Sequence, residues 1–364
     1  MATSRTRTRP ASTRQRGLAV VASLLAAGLA LTACSKEPEV IQPTDPPVTV
    51  DPEVQVDKTA APTAPEEVPV WPLTGLPGEI VERPVLSVKI ETTRPARPQA
   101  GINAADLLWE EMIEGGETRL LAMFHSTLPP QIGPIRSVRP MDAGIAGPTG
   151  GMLAFSGGQE GFIQQVQNSG LQTLIGDRGG AGMSRVSFRK SPYNLYGDPA
   201  VMVGAADASR NLTPPAMFTF AESADAATAI VKGAEATEIV TKFPAQKSSW
   251  NWDGSRWLRS MSDAPHTVDT GEQIAADNVV VLRVNLVDTG TVDTIGTKVY
   301  ETVMVDSGEA LVATGGRTVS GTWSKAGISD PIVLTGADGQ VITLAPGQTF
   351  IELLPYDSSS LTVS

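Results

Sequence analysis

Cysteine is almost absent from this chain of 364 residues, in which Cys34 is the only one. A single thiol excludes an intramolecular disulfide and any metal cluster built from several cysteines. Histidine is nearly as rare, because only His125 and His266 are present and they fall in different predicted domains. We therefore expect no His-rich metal site and no bound metal or other cofactor. His125 ends a predicted strand, and we interpret it as a hydrogen-bonded edge residue.

The chain also lacks an excess of basic charge. Its formal net charge is -11 at pH 7, with 28 Lys and Arg against 39 Asp and Glu. Such a balance argues against nucleic acid as a partner and against electrostatic binding to anionic lipid. The motifs G-x-S-x-G and H-E-x-x-H are absent as well, so neither a serine-hydrolase elbow nor a zinc-protease helix is indicated.

The N-terminus has the pattern of a secretory signal. Five arginines and no acidic residue precede an apolar run over residues 18–33, which ends in Leu31-Thr32-Ala33-Cys34. The run is shorter than the roughly 20 apolar residues of a typical transmembrane helix, and its composition predicts a signal peptide over 1–33. Its end resembles the lipobox of bacterial lipoproteins. That motif implies cleavage between Ala33 and Cys34 and a diacylglyceryl group on Cys34, which would anchor the protein at the outer face of the cytoplasmic membrane.

The mature chain divides by composition into a tether and a folded body. Residues 34–70 are rich in Pro, Glu, Asp and Thr and poor in aromatics, so we predict a disordered tether there. The remainder is long enough for two domains, which we assign to 71–245 and 246–364. Strands alternate with helices in the first, and short strands separated by turn residues fill the second. The predicted fold class is α+β, with an α/β-like mixed sheet followed by a mainly antiparallel β domain.

Charged residues are concentrated within the predicted strands and turns between Glu91 and Arg139. On half-buried strands such groups must be paired or hydrogen-bonded. Arginine side chains are suited to carboxylates and phosphates, so we regard this region as a candidate binding surface. Its candidate residues are Arg97, Asp106, Glu110, Glu114, Arg119, Arg136 and Arg139.

Two of these residues allow a catalytic alternative. Strand alternation would put Glu110 and Glu114 on one face, and two nearby carboxylates can act as acid and base in glycoside cleavage. The neighbouring arginines favour a different interpretation, in which the same carboxylates form ion pairs. We favour binding over catalysis. The aromatic residues Trp250, Trp252 and Trp257 flank an Asp253-Gly254 turn, and we interpret them as core residues of a hairpin.

Longer segments resemble the YerB-like family of bacterial lipoproteins, which is defined by a domain of unknown function. The resemblance covers most of the chain from Trp71 to Pro355. Two positions depart from the family pattern, because Glu91-Thr92 replaces an Asp-Asn pair and Tyr193 replaces a histidine. The matching segments are Pro72–Leu76, Ala96–Gly101, Ala105-Asp106, Glu110, Glu114–Gly116, Thr118-Arg119, Ile132–Pro140, Tyr193–Tyr196, the Trp-rich hairpin, GTWSK and PGQTFIELLP.

From these observations we expect a membrane-anchored extracytoplasmic protein that acts as a non-catalytic binding or scaffold protein of the cell envelope. The expected partners are the membrane, through the diacylglyceryl group, and a cell-wall glycan or an envelope protein. The alternative is a cell-wall glycan hydrolase that uses the carboxylates of Glu110 and Glu114.

Overall fold

The computed structural model describes residues 68–210 and 212–364. The predicted signal peptide, the lipidation site at Cys34 and nearly all of the predicted tether lie outside the described residues. Within the described residues, no helix is long and apolar enough to cross a membrane.

Strands account for most of the regular structure, and several begin and end close to the predicted positions. Apolar runs in the sequence predict strands at Leu107–Ile113, Thr118–His125 and Met152–Ser156, and the structure confirms all three, each with an end one residue earlier. The strands are β1 (Leu86–Glu91), β2 (Leu107–Met112), β3 (Thr118–Phe124), β4 (Met152–Phe155), β5 (Gln172–Ile175), β6 (Met183–Arg185), β7 (Leu195–Gly197), β8 (Ala234–Glu235), β9 (Glu238–Lys242), β10 (Lys247–Trp252), β11 (Trp257–Met261), β12 (Ala264–Pro265), β13 (Ala275–Ala276), β14 (Asn278–Val284), β15 (Leu286–Val292), β16 (Lys298–Thr302), β17 (Ser307–Thr314), β18 (Arg317–Ser324), β19 (Val333–Gly336), β20 (Thr349–Pro355) and β21 (Ser360–Val363).

The helices are short by comparison. They are α1 (Asp142–Ala146), α2 (Glu160–Asn168), α3 (Pro199–Gly204) and α4 (Thr228–Lys232). In α2, Phe162, Ile163 and Val166 are buried, which is the i, i+1, i+4 spacing of an amphipathic helix packed on a sheet. The α+β class predicted from sequence is confirmed.

A mixed sheet of eleven strands runs through the protein, with β19, β18, β17, β14, β20, β2, β3, β1, β4 and β5 in spatial order and β8 beside β18. Strands from both sides of residue 245 build it: β2 pairs in parallel with β20, and β20 pairs in parallel with β14. The described residues from Val68 to Ser364 form one compact unit. The predicted domains 71–245 and 246–364 therefore both contribute strands to one sheet, and the division between them stays a prediction.

The main sheet has an apolar layer on each face. On one face, which we call the helix face, residues of α1 and α2 pack against Leu107, Trp109 and Leu121. On the other, the hairpin β10–β11 packs against Leu108, Leu120 and Phe350. Because β2 alternates between the two layers, its adjacent carboxylates Glu110 and Glu111 point in opposite directions.

The structure confirms that the tryptophans of this hairpin belong to the core. Trp250 and Trp257 are fully buried, whereas Trp252 is half-buried. The Trp250 ring meets Phe350 of β20 edge to face, with 4.8 Å between the ring centroids. The predicted turn at Asp253-Gly254 joins the two strands, and the Asp253 carboxylate accepts hydrogen bonds from the backbone of Ser255 and Arg256.

A buried guanidinium joins this hairpin to the main sheet. Arg259 of β11 is fully buried and donates to Glu110 of β2 and to Ser248 of β10. Glu352 of β20 is the register partner of Glu110 and accepts a hydrogen bond from Trp250 Nε1 at 2.7 Å. Burial and the nearby Glu110 raise the pKa of Glu352 to about 7. The charge of Arg259 therefore stabilises the ionised forms of two adjacent carboxyl groups, those of Glu110 and Glu352.

Replacing Arg259 by methionine should destabilise the fold strongly. The substitution leaves Glu110 buried without its cation, and breaking a buried ion pair costs about 3–5 kcal/mol. The matched control is Arg178→Met, because the Arg178 side chain is 50% exposed and its partner Glu160 is 72% exposed. A pair of that kind contributes about 0–1 kcal/mol. Urea unfolding followed by circular dichroism measures both, and equal shifts would contradict a structural role for the Arg259–Glu110 pair.

Candidate functional site

A polar cleft opens where parallel strands end. The strands β1, β4 and β5 are parallel neighbours, so their carboxyl ends lie at one edge of the main sheet. Beside β1 the chain order changes direction, because β3 lies on one side and β4 on the other. Crevices outside the carboxyl ends of strands at such a switch point are common ligand sites in α/β sheets. The cleft has a volume of about 560 Å³ and is lined by Glu91, Thr93, Ile113, Glu114, Glu117, Arg119, Arg136, Ser137, Arg139, Gly158, Gln159, Asp177, Tyr193, Asp293 and Thr294.

Glu91, the last residue of β1, is the anionic centre of one half of the cleft. Its carboxylate accepts from Arg136 Nε at 2.8 Å and lies 3.5 Å from Arg119 Nε. The backbone N–H groups of Thr92 and Thr93 also donate to it. Burial opposes the charge, but Arg119 and Arg136 together outweigh it and hold the pKa of Glu91 below its ordinary value. Glu91 therefore stays ionised and keeps both guanidinium groups in place.

Glu114 and Arg139 form the other half. The strand β2 ends at Met112, and Gly115 and Gly116 then adopt positive φ angles of 69° and 77°. That turn positions Glu114 so that its two oxygens accept from Nε and Nη2 of Arg139, each at 2.6 Å. Such a bidentate arrangement is the strongest geometry for a guanidinium and a carboxylate.

A buried triad lies behind this pair on the helix face. Lys89 donates to Glu111 and, at 2.7 Å, to Asp142, and all three side chains are fully buried. Burial and the neighbouring Asp142 raise the pKa of Glu111 to about 8, so its neutral form is favoured. Asp142 also accepts from the backbone N–H of Arg139 at 2.7 Å. The triad thus holds the backbone of a cleft arginine.

An aromatic ring and neutral polar groups complete the lining. The guanidinium carbon of Arg136 lies 5.7 Å from the ring centroid of Tyr193. Thr93, Ser137 and Gln159 present hydroxyl and amide groups.

Of the seven predicted binding residues, Glu114, Arg119, Arg136 and Arg139 come together in the cleft. Glu110 does not, because its carboxylate lies on the opposite face of the sheet, against Arg259 and Thr118. The expectation that Glu110 and Glu114 share a face is wrong. The strand ends between them, at Met112, and the following glycine turn cancels the alternation.

Asp106 and Arg97 lie elsewhere. Asp106 is buried, and its carboxylate accepts from the backbone N–H groups of His125 and Ser126 at 2.6 and 2.8 Å. It therefore stabilises the chain after β3. Arg97 lines a second cavity, next to the cleft.

His125 is buried, and neither of its ring nitrogens has a hydrogen-bond partner in the described structure. Within the described residues the imidazole thus lacks the hydrogen bonds expected of a satisfied edge residue, whereas the backbone N–H of His125 donates to Asp106. Its ring meets Trp71 edge to face, with 5.1 Å between centroids. Burial and the nearby Arg83 lower the pKa of His125 to about 4.

Sequence reasoning did not select Glu91, Tyr193 or the triad. Glu91 could have been found, because it is the charged residue that ends a largely apolar strand and lies three and six residues before Arg94 and Arg97. The triad had no comparable signal. Lys89 shares its strand with Glu91, Glu111 follows Glu110, and Asp142 is far from both Lys89 and Glu111 in sequence, so the charge pattern does not join the three.

Comparison with known proteins links both parts of the chain to one family. A family profile described as "Protein of unknown function (DUF3048) N-terminal domain" matches residues 73–212. The corresponding C-terminal domain profile matches residues 239–351.

One relative and one solved structure are similar over most of their length. The chain is 26% identical over 302 residues to a protein of Bacillus subtilis (strain 168) named "Putative lipoprotein YerB", covering 80% of this chain and 88% of that protein. The crystal structure of the YerB protein from Bacillus subtilis matches with a TM-score of 0.68 at 23% identity, over 81% of this chain and 99% of that one. The structural match shows a shared fold.

Replacing His125 by phenylalanine should make the protein less sensitive to acid. Below a pH of about 6.5 the unfolded chain binds a proton at His125 that the folded protein binds only near pH 4, so the free energy of unfolding falls over that range. Phenylalanine keeps an aromatic ring at this position but has no nitrogen that can bind a proton. The advantage of the variant should grow towards pH 4, to about 2–3 kcal/mol.

Urea unfolding of both proteins between pH 4 and pH 8 measures this difference. At pH 8 His125 is neutral in both states, so that pH gives the effect of packing alone. Parallel curves for the two proteins across the whole range would contradict the burial of a neutral imidazole.

Proposed function

Because this chain belongs to the DUF3048 family, whose N-terminal and C-terminal domain profiles both match it, we propose a function from its own residues. It is a lipid-anchored protein of the bacterial cell envelope that binds a cell-wall glycan in the polar cleft without cleaving it. The observation that carries this proposal is a set of pre-formed carboxylate–guanidinium pairs on the wall of an open cleft.

The anchor is supported by the N-terminal sequence and by the name of a relative. Cys34 follows Leu31-Thr32-Ala33 at the end of an apolar run, and the relative from Bacillus subtilis is named as a lipoprotein. The diacylglyceryl group would hold the chain at the outer face of the membrane. A tether over 34–70 would then let the folded part reach the cell wall.

The cleft suits a polyhydroxylated ligand for a chemical reason. A sugar hydroxyl both donates and accepts hydrogen bonds, so it is best bound where acceptors and donors alternate. Glu91 and Glu114 supply acceptor oxygens, and Arg136 and Arg139 supply N–H donors directly beside them. The ring of Tyr193 offers an apolar face for a pyranose.

The charge balance favours a neutral ligand over a free anion in this cleft. The lining includes three arginines, namely Arg119, Arg136 and Arg139. The carboxylates of the lining are more numerous: Glu91, Glu114, Glu117, Asp177 and Asp293. An isolated phosphate or carboxylate would meet net repulsion here, whereas an uncharged sugar would not.

The geometry does not favour the hydrolase alternative. Glycosidases place two carboxyl groups about 5–10 Å apart across an open site. Here Glu110 is buried against Arg259, and Glu114 is held by both nitrogens of the Arg139 fork. The two carboxylates lie on opposite faces of the sheet, so they cannot act together on one glycosidic bond.

Removing a cleft arginine should weaken glycan binding. Arg136→Ala and Arg139→Ala each remove N–H donors and release a carboxylate, and we expect each to lower the affinity about tenfold. Co-sedimentation of the full-length protein in detergent with purified peptidoglycan sacculi measures this effect. Circular dichroism of each variant checks that it is folded.

The matched control is Arg317→Ala, which removes an arginine that does not line the cleft and should leave co-sedimentation unchanged. Equal binding by all three variants and the unsubstituted protein would exclude the cleft as the glycan site. Release of muropeptides from the sacculi would support the hydrolase alternative.

Substituting Cys34 should abolish lipidation. Cys34→Ala removes the thiol that would be alkylated, so we expect no incorporation of labelled palmitate and retention of residues 1–33 in the precursor. Metabolic labelling followed by electrophoresis and mass spectrometry measures both. Ser35→Ala is the control and should be labelled normally, and labelling of Cys34→Ala would refute the assignment.

A further inference from the structure

A second cavity lies beside the polar cleft and shares Glu117 with it. It has a volume of about 770 Å³, larger than that of the cleft. One wall is formed by the chain that follows β1, with Arg94 and Arg97. The opposite wall is formed by the chain from the end of β11 onward, including Ser262 and Thr267.

The charge of this cavity is opposite to that of the cleft. Its lining contains two arginines and a single carboxylate, that of Glu117. His266 also lines it, but burial and the nearby Arg259 lower the pKa of that imidazole well below its ordinary value, so it adds no charge. The lining therefore has a net positive charge, although the chain as a whole has a net charge of -11.

The arginines of this cavity are not already paired. In the cleft, Arg136 and Arg139 each have a carboxylate partner within 3 Å. In the described part of the chain, neither Arg94 nor Arg97 forms an ion pair within 4.0 Å. The Nε atom of Arg97 is buried and has no hydrogen-bond partner among residues 68–210 and 212–364.

The surroundings add to the positive potential at Arg97. The charges of Arg259 and Arg94 act on it as like charges, and Glu117 and Glu110 only partly compensate. Arg259 is committed to Glu110 in the interior. A buried donor without a partner and uncompensated cations are costly arrangements that a bound anion would relieve.

The opposite wall is shaped by an unusual turn. Ser262 and Asp263 both have positive φ angles, of 50° and 63°, which are uncommon for residues other than glycine. The carboxylate of Asp263 is bound by Lys247 at 2.5 Å. It therefore does not serve as a partner for the cavity arginines.

We propose that this second cavity is an oxyanion site, in which Arg94 and Arg97 bind a carboxylate or a phosphate group of an envelope ligand. The guanidinium fork matches both groups in geometry. The site does not depend on glycan binding in the cleft, because different arginines form it.

Isothermal titration calorimetry of the full-length protein in detergent tests the site, with three separate probes. Inorganic phosphate represents the phosphate source, glucuronate represents a carboxylate on a sugar, and glucose is the neutral counterpart of glucuronate. We expect at least one anion to bind and glucose not to bind in this cavity. Binding of phosphate alone or of glucuronate alone identifies the group that the site prefers.

Matched variants locate the binding. Arg97→Gln and the more exposed Arg94→Gln should each weaken anion binding at least fivefold, whereas Arg317→Gln should leave it unchanged. Glu117→Gln removes the one carboxylate of the lining and should strengthen binding severalfold. The proposal is overturned if neither anion binds to the unsubstituted protein, if both cavity variants bind as it does, or if Glu117→Gln fails to strengthen binding.

Discussion

The fold depends on one buried contact between distant parts of the chain, that of Arg259 with Glu110. The two residues are 149 positions apart, and both side chains are fully buried. A charge on either side alone would be too costly to bury, so the hairpin that carries Arg259 must pack against the strand that carries Glu110. The parallel pairing of β2 with β20 favours the same packing of the hairpin on the sheet, because it places Glu352, the hydrogen-bond partner of Trp250, beside Glu110.

The same requirement for partners shapes the cleft. Charged residues in β1 and β2 and directly after β2 form ion pairs from the interior outward. Lys89 is paired with Asp142 and Glu111, Glu91 with Arg136, and Glu114 with Arg139. Arg139 joins the interior to the cleft, because its backbone bonds Asp142 while its side chain bonds Glu114. The cleft wall is therefore rigid. A rigid array of donors and acceptors favours binding, since little conformational entropy is lost when a ligand is bound.

Local pattern was sufficient to predict much of the secondary structure. The apolar runs of β2, β3 and β4 and the Asp253-Gly254 hairpin were predicted close to their observed bounds, because each is determined by neighbouring residues. Prediction of the site was less successful. Four of its arginines and carboxylates were selected, but Glu110 was assigned to the wrong face and Asp106 to a binding role. In both cases the deciding fact was a partner or a turn that charge patterning does not reveal.

The sequence by itself determined the class of the fold, the absence of disulfides and the features that predict a lipid anchor at Cys34, since these follow from composition and from contiguous motifs. Tertiary structure alone decided which charges are available to a ligand. Arg139, Arg97 and Arg259 have chemically identical side chains. Arg139 is held on a cleft carboxylate and Arg259 is buried in the core, whereas Arg97 lines a cavity and has no carboxylate partner among the described residues. The physical reason is that desolvation and pairing depend on residues far away in the chain, which only the folded protein brings together.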